Sequence, residues 1–233
     1  MSAGEEYIKA ITALDSDRRT REAFQQLVLS VAVPGTTLLD FGCGPGLDCK
    51  FYARHGFQIL AYDVDPRMCA TFLDYCRPEI EYGQIRLLQG GYRQFLDDAV
   101  SALRARACIV TANFAPLNMI ADLKELFAAF HACTDRGAYV LASVLHPWFI
   151  GDTGYRAWLG ARLQYWRRGY FPLDGASGTV YRRSFENFAS QAAPYFELVR
   201  VVRGPSGPRA ALRRTGRFTL LSRRYAFLVF ARS

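Results

Sequence analysis

Asp40, Gly42, Gly44, Gly46 and Asp63 are the residues whose types and spacing best suit chemistry. Asp40 and the glycines lie in Asp40-Phe41-Gly42-Cys43-Gly44-Pro45-Gly46, at the end of an apolar run from Thr37 to Phe41. Glycine lets a ligand approach the backbone where a strand ends. Asp63 closes the next apolar run, Gln58 to Tyr62, and a carboxylate there can accept both hydroxyls of a ribose. Together they describe a nucleotide-type site. A dinucleotide site reads G-x-G-x-x-G and rests a pyrophosphate on a helix N-terminus. Here the spacing is G-x-G-x-G, Leu47 stands where the third glycine would be, and Asp40 and Asp48 flank the loop. Carboxylates oppose a pyrophosphate but suit a ligand with an ammonium and a sulfonium.

The elements that must position these residues follow from periodicity. Residues 17–32 form an amphipathic helix (Ala23, Phe24, Leu27, Val28, Val31), with Asp15, Ser16 or Asp17 as its N-cap. Pro34-Gly35 ends it and launches the first strand. A helix follows from Asp48 to His55, with Gly56 as its C-cap. Asp65-Pro66 opens another, to about Cys76. Strands at 85–89, 108–112 and 138–145 alternate with helices at 96–104 and 122–133, the last stopping near Gly137. Such alternation gives a parallel sheet covered on both faces. Ligands then sit outside the strands' carboxyl ends. Residues 42–46, Asp63, 90–92, Asn113-Phe114 and His146 all fall there.

The combination D-F-G-C-G-P-G followed by A-Y-D resembles the class I S-adenosyl-L-methionine (SAM) methyltransferases, and residues 17–145 resemble the small-molecule, biotin-pathway-like type. The resemblance implies an α/β, Rossmann-like, doubly wound sheet of seven strands with the last strand antiparallel. It implies one domain over 1–233, with a SAM-binding core at 17–145 and an acceptor-side cap at 147–195, inserted after strand five. It places Asp40, Gly42, Cys43 and Gly44 around the methionine part of SAM, Asp63 on the ribose and Val64 on the adenine. Gln89-Gly90-Gly91-Tyr92 aligns with a turn where the family often carries an acid for the adenine amino group. Gly91 occupies that position, so Tyr92 or a backbone carbonyl has to substitute. Asn113-Phe114-Ala115-Pro116-Leu117-Asn118 lines the methionine end in small-molecule members. It is not the N-P-P-Y/F signature of amino-directed nucleic-acid and protein enzymes, and no Pro-Cys pair supplies a cytosine-C5 nucleophile.

The acceptor half rests on the remainder of the chain. Residues 147–183 are rich in aromatics and arginine (among them Trp148, Tyr155, Trp158, Tyr165 and Trp166). They read as a lid over an acceptor pocket, or more plainly as packing on the sheet edge. A short strand at 179–182, a helix at 184–192, a sixth strand at 196–202, a basic loop at 203–217 and a last strand at 225–231 complete the reading. Residues 1–150 hold 14 Lys+Arg and 17 Asp+Glu, net −3, whereas 151–233 hold 15 Arg and 4 acids, net +11. That asymmetry suggests an anionic partner, or else a solvated arginine surface. His146 is the candidate general base or acceptor orienter, with a turn before Pro147 as the alternative. Arg182 and Arg183 would clamp an acidic acceptor, with Trp148 against its body.

Six scattered cysteines without C-x-x-C pairs read as reduced thiols in a cytoplasmic protein, with neither a disulfide set nor a metal site. No apolar run reaches about 18 residues, so no membrane span is expected. The first expectation for function is methyl transfer to a small organic acceptor, at oxygen of an acidic, aromatic or carrier-linked substrate, the carrier being acyl carrier protein or coenzyme A. A nucleic-acid (RNA) methyltransferase and a non-catalytic SAM-binding regulator are the alternatives. Oligomeric state is not set by any sequence feature.

Overall fold

The computed structural model describes residues 8–9, 13–103, 107–145, 165–175, 178–205 and 224–233. His146 and Trp148 lie outside them, as do most of the aromatic stretch after 147 and most of the basic 203–217 loop.

Seven strands form the main sheet: β1 (Thr37–Phe41), β2 (Gln58–Tyr62), β3 (Ile85–Leu88), β4 (Ala107–Ala112), β5 (Thr134–Leu145), β8 (Phe196–Arg203) and β9 (Tyr225–Arg232). A separate hairpin, β6 (Tyr170–Gly175) with β7 (Gly178–Arg183), is inserted between β5 and β8. The order is β3-β2-β1-β4-β5-β9-β8. The first five strands run parallel, and β9 is antiparallel to both of its neighbours. The fold expectation is met, including the last strand inserted beside the sixth.

Helices α1 (Asp15–Leu29), α2 (Leu47–Arg54) and α3 (Pro66–Tyr75) lie on one face, followed by the short α4 (Arg77–Glu81). Helices α5 (Tyr92–Leu103), α6 (Lys124–Cys133) and α7 (Phe185–Ala192) cover the other. Alternate residues of each strand feed the two cores. Leu38 and Ile59 face the first group with Phe24, Tyr52 and Phe72. Leu39, Phe41 and Tyr62 face the second with Phe95 and Phe130. Phe41, Tyr62 and Phe95 meet with centroids 4.2–5.4 Å apart. Each such pair contributes about 0.5–1.5 kcal/mol beyond its buried area. These contacts lock the ends of β1 and β2, from which the loop and Asp63 emerge.

Four boundaries differ from the sequence reading. The N-cap of α1 is Leu14, without a side-chain cap, and Asp15 instead bonds Arg18 and Arg19 at 2.5 Å each. Helix α4, with a proline in its first turn, is too short to show a period. Helix α5 begins at Tyr92, four residues early. Strand β5 begins at Thr134 because Gly137 (φ +80°) serves an irregularity in the pairing with β4 and does not stop a helix. Ser184 caps α7 by accepting the Asn187 N–H. Among the described residues, no helix is long and apolar enough to cross a membrane.

The three loop glycines have different reasons to be glycine. All have positive φ (75°, 55° and 90° for Gly42, Gly44 and Gly46). A Cβ on Gly42 would meet Pro116 at 2.6 Å, and one on Gly46 would meet Cys76 Sγ at 2.5 Å and the Phe72 ring at 2.8 Å. A Cβ on Gly44 meets nothing within 4 Å. Gly44→Ala should therefore cost only the left-handed backbone term, about 1–2 kcal/mol. Gly46→Ala adds overpacking of about 1–3 kcal/mol. Chemical denaturation should rank the two variants in that order; equal losses would contradict the packing.

Candidate functional site

The glycine loop, Asp63 and the turn after β4 converge at the β1/β4 switch point, where the strand order reverses and ligands of such sheets bind. Pro116 resting on Gly42 puts the β4 turn directly against the loop. Gly44 presents the open backbone. Its N–H donates to Asp63 Oδ2 at 2.8 Å, and the Asp65 N–H donates to Oδ1 at 2.9 Å. Each Asp63 oxygen thus spends one acceptor position on backbone and keeps another. Burial raises the Asp63 pKa, and the two amide donors pull it back. Val64 beside it is exposed, leaving an apolar surface next to the carboxylate.

Asp40 is turned into the protein. It is 2% exposed, with Oδ1 accepting Thr111 Oγ1–H at 2.8 Å and Oδ2 accepting the Cys49 thiol at 3.0 Å. Burial, then the nearby Asp48 charge, push its carboxyl up to about 7. Asp48 is also withdrawn, at 5% exposed. Its Oδ1 accepts Gln25 Nε2–H at 2.8 Å, and its Oδ2 accepts Arg21 Nη1–H and, at 3.1 Å, Asn113 Nδ2–H. Protein donors thus surround Asp48, one of the two carboxylates that flank the loop. The Cys43 thiol is pushed up to about 11, chiefly by burial, which leaves it protonated and inert at neutral pH.

The β4 turn is strained. Phe114 (φ 62°) and Ala115 (φ 67°) are both left-handed without being glycine, at about 1–2 kcal/mol each. Hydrogen bonds hold them. The Phe114 N–H donates to Asn113 Oδ1 at 2.9 Å and to Ser143 Oγ at 2.6 Å, and the Ala115 N–H donates to Ser143 O at 3.0 Å. Strain of this kind clusters at functional sites. Asn113 is thus committed inside the protein, while the Phe114 ring lies under Arg21 (4.6 Å) and edge-on to Tyr225 (5.6 Å).

Gly91 is exposed and open. The Tyr92 ring packs on the α5/α6 core, and its buried hydroxyl has no hydrogen-bond partner among the described residues.

Arg183 is neither a solvated charge nor an acceptor clamp. It is 1% exposed, between the Tyr170 and Tyr181 rings at 5.1 Å each. Its guanidinium donates to the carbonyls of Ile120 and Ala121 at 2.5 and 2.6 Å and to Asn187 Oδ1 at 3.2 Å. Asn118 reinforces this docking: Nδ2 donates to Tyr181 O at 2.7 Å, and Oδ1 accepts the Leu145 N–H at 3.0 Å. The β6–β7 hairpin is thereby fastened over the carboxyl ends of β4 and β5. Arg182 points to the other face of β7 and is also buried, at 6% exposed. Arg21, Gln25 and Ser143 are the residues that sequence reasoning missed. Asn118, the terminal Asn of N-F-x-x-L-N, was signalled.

A glycine-loop α/β sheet with an antiparallel last strand defines the Rossmann-like methyltransferase fold class. The methyltransferase-domain family model matches residues 14–192. The chain belongs to that family and is a SAM-dependent methyltransferase. Solved structures agree in fold. A SAM-dependent methyltransferase from Listeria monocytogenes is 16% identical (TM-score 0.66; 93% of this chain, 99% of that one). The 1,6-didemethyltoxoflavin-N1-methyltransferase of Burkholderia thailandensis, solved with that acceptor and S-adenosylhomocysteine, is 16% identical (TM-score 0.62; 100% and 92%). The geranyl diphosphate C-methyltransferase of Streptomyces coelicolor is 13% identical (TM-score 0.62; 93% and 82%). No curated protein matches by sequence. The residues present fit SAM: Gly44 leaves space that a Cβ would fill, and Asp63 keeps acceptor positions for ribose hydroxyls beside exposed Val64.

The raised Asp40 pKa has a measurable consequence. An unfolded aspartate titrates near 3.9, so the folded chain holds one more proton between about pH 4 and pH 7. Stability contributed at this position declines as pH rises through that window. Asp40→Asn should flatten this part of the profile, so that thermal midpoints of variant minus wild type climb from pH 4 to pH 7. A constant difference would mean that Asp40 is ionised throughout.

Proposed function

We propose that the chain methylates a small organic acceptor at oxygen, one with an aromatic or apolar body that carries a negative charge or is tethered to acyl carrier protein or coenzyme A. The observation that carries this reading is Arg182, a buried cation on the face of the cap hairpin opposite its docking side. It is felt electrostatically at Tyr225, whose phenol burial raises and Arg224 and Arg182 pull back. Tyr225 in turn touches Phe114. A buried cation that acts on the Tyr225 phenol suits an acidic group on an apolar body. Two fold relatives bear the names of small-molecule acceptors, which fits this class.

In this reading residues 1–233 form one domain, with the core at 17–145 and the cap at 147–195. Gly42, Cys43, Gly44 and Asp63 hold SAM with Val64 and the 89–91 backbone, and Phe114 walls the methyl end. Bound SAM supplies a methyl already activated by its sulfonium. The protein has to align the acceptor oxygen with it and exclude water. A carboxylate acceptor needs no base. For a phenol or alcohol His146 takes the proton; it follows Leu145, whose amide Asn118 fixes. Six free thiols suit a reducing compartment, the cytoplasm.

Trp166, 82% exposed beside Arg167 and Arg168, favours RNA as a second reading. Methyl-labelled SAM incubated with cell extract separates the readings: label should enter the small-molecule or carrier-thioester fraction, and label confined to RNA would overturn the proposal. Asp63→Asn should weaken S-adenosylhomocysteine binding at least about tenfold, or about 1.4 kcal/mol, by calorimetry. Arg182→Met should raise the KM for the labelled acceptor about tenfold or more and leave S-adenosylhomocysteine affinity intact. An unchanged acceptor KM would remove Arg182 from the acceptor site.

A further inference from the structure

Helix α1 precedes the sheet and contributes none of the loops at its carboxyl edge, yet two of its side chains end inside the donor site. Arg21 and Gln25, one turn apart, both donate to the Asp48 carboxylate. Asp48 stands in the first turn of α2, immediately after the glycine loop. The same carboxylate oxygen that takes Arg21 also takes Asn113 Nδ2–H at 3.1 Å. Asn113 Oδ1 then accepts from the Phe114 N–H and from Ser143 Oγ–H, both at 2.9 Å. The Arg21 guanidinium closes the circuit by lying over the Phe114 ring. One buried carboxylate therefore ties α1, α2, the end of β4 and, through Ser143, β5.

We propose that Asp48 and Arg21 are positioning residues of the donor site. Their ion pair orients Asn113, and Arg21 seats the Phe114 ring, so that the strained turn keeps the conformation that forms the pocket wall. The turn needs such support. Two consecutive non-glycine residues at positive φ relax toward ordinary backbone angles unless their amides are held. Asn113 provides one of those acceptors, and its amide group is oriented by Asp48 from the opposite end. Because Pro116 rests on Gly42, a relaxed turn also shifts the glycine loop. The N-terminal helix thus sets the shape of the donor pocket through one ion pair. The inference rests on the assignment of SAM to this pocket.

The test is S-adenosylhomocysteine affinity by calorimetry, beside the thermal midpoint of the ligand-free protein, for Arg21→Gln, Asp48→Asn and the double variant. Both single variants should lose at least about fivefold in affinity at a temperature where each is fully folded. The double variant should lose no more than the worse single one, since both break the same link. Affinity within twofold of wild type in the folded single variants, with lowered midpoints, would make the pair merely structural and overturn the proposal. So would fully additive losses in the double variant. Arg21 is partly exposed, so Arg21→Gln alone decides the matter on the single-variant criterion if Asp48→Asn does not fold. Failure of the wild-type protein to bind S-adenosylhomocysteine would refute the cofactor assignment instead, which separates the two claims.

Discussion

Two carboxylates and one guanidinium are packed together where β1 gives way to α2, and that unequal charge count constrains the whole donor half. Asp40 and Asp48 are both nearly sealed from water. Among the described residues, only Arg21 forms an ion pair with either, and it pairs with Asp48. Taking charges out of water costs several kcal/mol per ion unless they are paired and hydrogen-bonded. Asp48 is supplied with donors from Arg21, Gln25 and Asn113. Asp40, offered only a hydroxyl and a thiol, meets the imbalance by keeping its proton up to neutral pH. Arg21 has to come from outside the sheet, so α1 is an electrostatic requirement of the loop as well as a hydrophobic cover.

The cap obeys a similar rule with different groups. A buried arginine is tolerable when carbonyls and aromatic faces replace its water, and Arg183 has both. It and Asn118 act as two pins, one in the hairpin and one in the turn below it. The pinned strand alternates, so the residue between Tyr181 and Arg183 is forced to the opposite side. Arg182 owes its direction to the pleat, and its burial to the pinning of its neighbours.

Much of the donor half was legible because it is local. Strands β1 and β2 each show an apolar run, the loop glycines sit at a strand end, and Asp63 ends the next strand. The sheet followed from alternation, and the antiparallel last strand from family resemblance. What stayed illegible depends on contacts distant in sequence. Nothing near Asp48 announces that Arg21, 27 residues earlier, will occupy it, so its charge read as available to a ligand. Arg182 and Arg183 looked like a matched pair, since adjacency in sequence hides that neighbouring strand residues face opposite sides. Tyr92 read as a turn residue because two glycines precede it, whereas the helix had already begun. The loop glycines looked equivalent, and only the packing of Pro116, Cys76 and Phe72 distinguishes them.

The place of β9 in the sheet bears on the order in which the protein can be built. It lies between β5 and β8, so two interior edges wait for a segment that leaves the ribosome after both. Until Tyr225–Arg232 is made, β5 presents an unpaired apolar edge and β8 has no neighbour in the sheet. Pairings of such long sequence separation form slowly, and open edges of this kind invite association with other chains. The donor loop and its ion pair belong to the half that is synthesised first. The hairpin and the completed sheet edge belong to the half that is synthesised last.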